Sequence, residues 1–136
     1  MSITRINNLG ITDGTIVNAD ISASAAIAST KLTGVNDAKA WVNFNGTGTV
    51  AINGSFNVSS ITDSGTGDYA VNFTTAMTDV NYSTVANCSR DASVNQTGIY
   101  ITNSQNTAST VQINSLSNTL SPIFYDVNTV LVAVFR

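Results

Sequence analysis

The chain has 136 residues, a formal net charge of −3 and one cysteine, and 43% of its residues are hydrophobic. This size and hydrophobic content suit one domain with its own core and room for an appendage, without an intrachain disulfide. The five basic residues are scattered, which excludes the clustered Lys and Arg that nucleic-acid binding requires. No stretch reaches the roughly 18 continuous apolar residues of a membrane span, so we predict no membrane insertion.

The polar composition argues against catalysis. Histidine and glutamate are absent, while Asn, Ser and Thr make up more than a third of the chain. Without histidine, neither a Ser-His-Asp nor a Cys-His arrangement can form, and histidine metal sites are excluded. The eight aspartates lie mostly in turn contexts, and the segment Asp63–Asp68 lacks the acidic density of an EF-hand calcium loop. We therefore predict a protein that is not an enzyme, with no catalytic residue, metal site or cofactor.

Residues 1–35 form a first predicted region, an extended N-terminal arm for anchoring and trimerisation. It carries one aliphatic residue at every fifth or sixth position, a period that fits neither an amphipathic helix nor a regular strand. Such repeats suit an arm that shares its core with other chains or lies on a surface. A short Ala-rich helix over residues 22–31 is an open alternative. The repeating aliphatics are Ile6, Ile11, Ile16, Ile21, Ile27 and Leu32.

Residues 36–136 form a second predicted region, and its first part, residues 40–77, predicts a meander of four strands with one apolar face. Two of its turns are the Asn-Gly pairs 45–46 and 53–54, which suit two-residue type I′ hairpin loops. A polar loop at 62–68 makes the third turn. The predicted strands are Trp41–Phe44, Thr49–Ile52, one that begins at Phe56, and one in which Tyr69, Val71 and Phe73 share a face.

Four more strands are predicted after a turn at 77–81. Apolar residues on both faces of the last strand predict burial on both sides, either in mid-sandwich or at a subunit contact. Pro122, in the connection 114–129, fits a loop or a sheet edge. Eight short strands with regular turn signals predict an all-β fold, an antiparallel β-sandwich or jelly-roll-like knob. The later strands are Tyr82–Ser89, Gly98–Thr102, one around Val111 and Ile113, and Val130–Phe135.

Residues 40–77 strongly resemble a small domain at the distal ends of tail fibres and tailspikes of tailed bacteriophages, cyanophages among them. The resemblance implies a β-rich, homotrimeric protein on the surface of a virion. Segments 16–21 and 25–32 of the arm also resemble linking segments of tail-fibre stalks. The residues that carry the main resemblance are Ala40–Gly48, Ser55–Asp63, Gly65–Tyr69 and Val71–Phe73.

Within this class we expect a capsid decoration (cement) protein on the outer surface of the head, with the major capsid protein as partner. The short stretch before the distal-type domain, about 35 residues, favours it over a fibre tip with a long shaft. The alternative is a tail fibre or tailspike component that contacts tail or baseplate proteins and binds host-surface glycans.

Polar loops are the candidate glycan contacts, and ordinary solvated loops are an equally open interpretation, so no site residue is predicted. The residues concerned are Tyr82, Arg90, Asn95, Gln96, Tyr100, Asn103 and Gln105.

Overall fold

The computed structural model describes residues 25–27, 31, 37–89, 97–101, 105–117, 121 and 123–136. The chain divides into two units, Met1–Val35 and Asn36–Arg136. Most of the predicted arm therefore lies outside the described residues. Ala25–Ile27, the described centre of the alternative helix over residues 22–31, are not helical.

The described part of the second unit is all-β, as predicted, with eight strands in two antiparallel sheets. Sheet 1 has the order β2-β1-β8-β5 and sheet 2 the order β3-β4-β7-β6. Among the described residues, no helix is long and apolar enough to cross a membrane. The strands are β1 (Ala38–Asn45), β2 (Ala51–Phe56), β3 (Val58–Gly65), β4 (Asp68–Phe73), β5 (Ser83–Cys88), β6 (Thr97–Ile101), β7 (Thr110–Ser117) and β8 (Val130–Phe135).

The inner faces of the two sheets share one hydrophobic core, to which the central strands β1, β8, β4 and β7 contribute most. These strands alternate buried and less buried residues, because successive side chains of a strand point to opposite faces. The rings of Phe44 in sheet 1 and Tyr69 in sheet 2 meet edge to face, with centroids 5.2 Å apart. The prediction that Tyr69, Val71 and Phe73 share one apolar face is confirmed.

The predicted four-stranded meander is wrong, because the chain changes sheet after β2. The hairpin β1-β2 belongs to sheet 1 and the hairpin β3-β4 to sheet 2. The change occurs at Asn57, whose φ of 54° is left-handed, a conformation that Asn tolerates because its short side chain bonds locally. Its amide group donates to Lys39 O at 2.9 Å and Thr75 O at 3.1 Å, and accepts from Thr75 N at 2.7 Å.

Neither Asn-Gly pair forms the predicted type I′ turn, since none of these four residues has a positive φ. The β1-β2 loop covers residues 46–50, with Gly48 at a φ of 63°. The Asn45 side chain bonds the backbone N and O of Thr47 and so organises the start of this loop. Asn53 lies inside β2, at a bulge opposite Asn43 and Phe44.

The later strands match their predictions closely, except that β7 continues through Ser117 into the predicted connection 114–129. Ser115 and Ser117 are buried there because their hydroxyls have partners. The Ser115 hydroxyl donates to Tyr125 O, and the Ser117 hydroxyl accepts from Ile123 N at 3.0 Å. Pro122 lies outside the described residues.

Candidate ligand-binding groove

Apolar side chains cross all four strands on the outer face of sheet 1. Trp41 pairs with Phe56 on β2 and with Ala133 on β8, and Ala133 pairs with Val85 on β5. Because paired residues lie on the same face of a sheet, these four residues form one row. Trp41 is 43% exposed, Phe56 56% and Val85 63%. Leu131, in the next row, is 43% exposed.

The prediction that β8 is buried on both sides is wrong, because its outer face lies on this exposed side of sheet 1. Val130, Val132 and Val134 point into the core, whereas Leu131 and Ala133 point outward. Sheet 2 covers only the inner face of sheet 1, which excludes the mid-sandwich position. The subunit-contact alternative remains a prediction.

A groove of about 350 Å³ lies on this face, and its floor is Ala133. Trp41 and Val85 stand on either side of Ala133, one strand away in each direction, so their Cα atoms are about 10 Å apart. The small methyl group between two larger side chains creates the depression. Its volume falls at the lower end of the roughly 300–1,000 Å³ that small-molecule sites occupy.

The Trp41 indole lies over Gly54 of the edge strand β2. A Cβ atom at Gly54 would lie 3.5 Å from Trp41 Cζ3 and 3.6 Å from Cη2, so the six-membered ring covers this glycine. An aromatic ring over a strand glycine is a recognised pairing in sheets. The indole is thus supported from β2 while it lines the groove beside Ala133.

Two asparagines supply the polar groups of the groove, Asn43 on β1 and Asn87 on β5. Asn43 Oδ1 accepts from Asn53 Nδ2 at 3.2 Å, and Asn87 Oδ1 accepts from the backbone N of Cys88 at 2.8 Å. Each amide oxygen thus accepts one bond within the sheet and keeps a second lone pair, and the NH₂ groups can donate to a ligand. None of the described lining residues is charged. The groove therefore offers an aromatic ring, aliphatic walls and two neutral amide groups.

Tyr82, the first of the candidate glycan contacts, has a structural role. Its hydroxyl lies 2.9 Å from Thr107 O and 2.8 Å from Thr110 O, and its ring packs edge to face on Phe73. Burial raises its pKa. Gln105 is exposed. Tyr100 lies in β6, and the remaining predicted contacts, Arg90, Asn95, Gln96 and Asn103, lie outside the described residues.

The aspartates of segment 63–68 bond protein donors. Asp63 Oδ1 accepts from Gly65 N at 3.1 Å. Asp68 Oδ1 accepts from the side-chain amides of Gln112 and Asn114, the latter at 2.9 Å. Within the described part of the chain, no group of three His, Cys, Asp or Glu side chains is placed to hold a metal ion.

Tyr69, the most buried titratable group among the described residues, belongs to a structural cluster. Its Oη lies 2.8 Å from both Gly46 O and Asp126 Oδ1, and Asp126 Oδ1 also accepts from Gly67 N at 2.7 Å. Burial, followed by the hydrogen bond to Asp126 and the charge of that carboxylate, raises the pKa of Tyr69 well above its ordinary value of 10.0. A phenol that stays protonated and fully buried cannot serve as a base or nucleophile, and it ties β4 to two loops.

Sequence reasoning did not identify the groove, although two signals pointed to it. Trp41 alternates with the core residues Val42 and Ala40 and so had to face outward, and β8 is apolar on both faces. The missing information was that β1, β8 and β5 are neighbours.

Comparison of the chain with protein-family models, with curated protein sequences and with solved structures finds no match.

Proposed function

We propose that this chain is a non-enzymatic structural protein on the outer surface of a tailed-phage virion, a trimeric capsid decoration protein that stabilises the head. In this proposal residues 36–136 are a jelly-roll-like β-sandwich knob and residues 1–35 are an extended arm. The partners are two further copies of the chain and the major capsid protein. No nucleic acid, membrane insertion or cofactor is involved.

One observation carries the proposal: the residues behind the resemblance to phage distal domains include three on which the fold depends. Asn57 holds the left-handed turn between the sheets. Gly46 and Gly67 leave room for Tyr69 and for the backbone of Ser115, because a Cβ atom at either glycine would approach these groups within 2.6 Å. A resemblance at these three positions supports a shared fold.

The arm supplies the adhesion in this proposal. A single arm would bury too little apolar surface to order itself, because one aliphatic side chain per five or six residues does not offset the conformational cost of ordering the backbone between them. Neighbouring copies or capsid subunits would supply the missing contacts. Three linked arms would also bind far more tightly than one, because each bound arm raises the effective concentration of the next.

The resemblance is to fibre and tailspike tips, which favours a second candidate: a receptor-binding component of the tail. It would contact tail or baseplate proteins through the same arm and face the host cell. The two candidates differ in position on the particle.

Position can be measured directly. Particles that carry the chain, labelled with an antibody against residues 36–136 and imaged by electron microscopy, should show label over the head. Label confined to the tail would exclude the decoration protein and support the second candidate. If purified phage particles do not contain the chain at all, both candidate functions are contradicted.

The role of the arm can be tested in the full chain. Ile11→Asp together with Ile16→Asp should abolish attachment to particles, because both substitutions charge the aliphatic repeat. Asn18→Asp adds a charge at a polar position of the same region and should leave attachment unchanged. Equal occupancy of all three proteins would show that the repeat is not the anchor.

A further inference from the structure

We infer that the groove on the outer face of sheet 1 binds a short neutral saccharide, with a sugar ring packed against Trp41 above Ala133. The inference rests on this groove alone and holds whether the protein sits on the head or on the tail.

The size of the groove suits a small ligand. At roughly 150–250 Å² for a fully exposed large side chain, the exposed parts of Trp41, Phe56, Val85 and Leu131 amount to roughly 400 Å². A patch of this size on a single chain is within the range that is often functional. The groove itself, at about 350 Å³, has the size of a disaccharide.

The two walls of the groove suit the C–H faces of a sugar ring. The face of an indole carries negative charge density, which attracts the weakly positive C–H groups on the face of a pyranose. Trp41 offers such a ring and is held in place over Gly54. Val85, on the other side of Ala133, closes the groove with an aliphatic wall against a second C–H surface.

The polar groups and the charge select a neutral ligand. Asn43 and Asn87 flank Leu131 on either side, so their NH₂ groups can donate to hydroxyl or acetamido oxygens at the edges of a bound ring. An anionic saccharide would find no cation in the groove, which has no charged lining residue, and the chain carries a net charge of −3. We therefore assign the groove to uncharged hexose or N-acetylhexosamine units.

The test uses the fact that Trp41 is the only tryptophan of the chain. Its fluorescence reports on the groove directly. The purified full chain is titrated with tetrasaccharides of β-1,4-glucan, α-1,4-glucan, β-1,4-linked N-acetylglucosamine and α-1,6-mannan, and with an oligogalacturonide as the anionic counterpart. At least one neutral tetrasaccharide should shift the emission with a Kd in the millimolar range or below. The oligogalacturonide should not.

Variants locate the binding. Ala133→Leu fills the floor of the groove without removing Trp41 and should weaken binding at least about tenfold. Trp41→Ala, followed by calorimetry because it lacks the reporter, should abolish binding. Val80→Ala removes an exposed apolar side chain elsewhere, in the turn before β5, and should bind like the unaltered chain. Far-UV circular dichroism and urea unfolding confirm that each variant is folded.

Three results would overturn the inference. In the first, no neutral tetrasaccharide changes the Trp41 emission at millimolar concentration. In the second, the Ala133→Leu and Trp41→Ala variants bind the saccharide as strongly as the unaltered chain, which would place the ligand elsewhere. In the third, the emission shifts with protein concentration alone and sedimentation shows an association that Trp41→Ala abolishes. That result would make this face a contact between copies of the chain. None of these results bears on where the protein lies in the particle.

Discussion

Tyr69→Phe removes one oxygen from the centre of the fold and leaves the ring contact with Phe44 in place. The hydroxyl is fully buried and lies 2.8 Å from two acceptors, Gly46 O and Asp126 Oδ1. Its single proton is shared between them. After the substitution Asp126 keeps its bond from Gly67 N, whereas the carbonyl of Gly46 loses the phenol as its donor.

The expected cost has two parts: the lost hydrogen bond to the Asp126 carboxylate, and the buried Gly46 carbonyl left without the phenol as its donor. A hydrogen bond to a charged acceptor contributes about 1.5–3 kcal/mol, and a buried acceptor left without its donor costs about 1–3 kcal/mol. Because one proton serves both acceptors, the losses overlap, and we expect a decrease of about 2–3 kcal/mol in the free energy of unfolding. For a domain of this size the Tm should fall by roughly 8–12 °C.

Tyr82→Phe is the matched control. Tyr82 also lies within hydrogen-bond distance of two carbonyls and packs edge to face on a phenylalanine, Phe73, but it is only partly buried. Water can replace its hydroxyl, so the cost should be about 1 kcal/mol or less. Urea unfolding followed by circular dichroism measures both variants. If Tyr69→Phe costs no more than Tyr82→Phe, the burial argument is refuted.

The pKa of Tyr69 adds a dependence on pH. Since the pKa is raised in the folded state, the stabilisation is complete below the unfolded value near 10 and is lost as pH rises above it. Between about pH 9 and about pH 11 the advantage of the unaltered chain over Tyr69→Phe should therefore shrink by about 1.4 kcal/mol, most of it above about pH 10. The two proteins differ only at residue 69, so contributions common to both cancel in the difference. A constant difference across this range would contradict the assignment.

Three further predictions concern the turns and the chain end. Gly48 and Gly67 have nearly the same φ, 63° and 65°, but a Cβ atom would meet nothing within 4 Å at Gly48 and a backbone oxygen at 2.5 Å at Gly67. In urea unfolding, Gly48→Ala should therefore cost about 1 kcal/mol and Gly67→Ala more than about 3 kcal/mol. Equal costs for the two variants would contradict the clash at Gly67. Asn57→Gly keeps the left-handed backbone but loses three side-chain hydrogen bonds, whereas Asn57→Ala also incurs the strain of a left-handed φ at a residue with a Cβ atom. The Ala variant should therefore be less stable than the Gly variant by about 1 kcal/mol. Thermal melts in which the Gly variant is the less stable of the two would refute this. Arg136 pairs with Asp79 on the surface, so Arg136→Ala should cost less than about 1 kcal/mol, and less again in high salt, as chemical unfolding at two salt concentrations would show.

Local patterns predicted β4 and the later strands well, because alternation of apolar and polar residues depends only on the period of a strand. β4 illustrates this, with Tyr69, Val71 and Phe73 buried. The bounds of β2 and β3 were predicted wrongly, since Phe56 ends β2 and does not begin the third strand. The same rule failed for Ser115 and Ser117, which are buried in β7. Their burial depends on backbone groups of residues 123–125, and a strand pattern contains no information about such distant partners.

The Asn-Gly pairs failed for a related reason. Asn45-Gly46 suits a type I′ turn locally, but Gly46 serves a distant residue. A Cβ atom there would lie 2.6 Å from the Tyr69 hydroxyl, and Gly46 N donates to Val127 O at 2.9 Å. These tertiary contacts decide the backbone at Gly46, and the positive φ moves to Gly48. Turn propensity is weaker than a buried hydrogen bond, so the packing prevails.

The sequence by itself determined the class of the fold, the eight strands that the described residues contain and the inward face of β4, because each depends on neighbours along the chain. Only the tertiary structure decided which strands share a sheet, and so where the groove lies. Trp41, Val85 and Ala133 are far apart in the chain and become neighbours through the order β1-β8-β5. That order depends on long-range pairing, which a local pattern of apolar and polar residues does not encode.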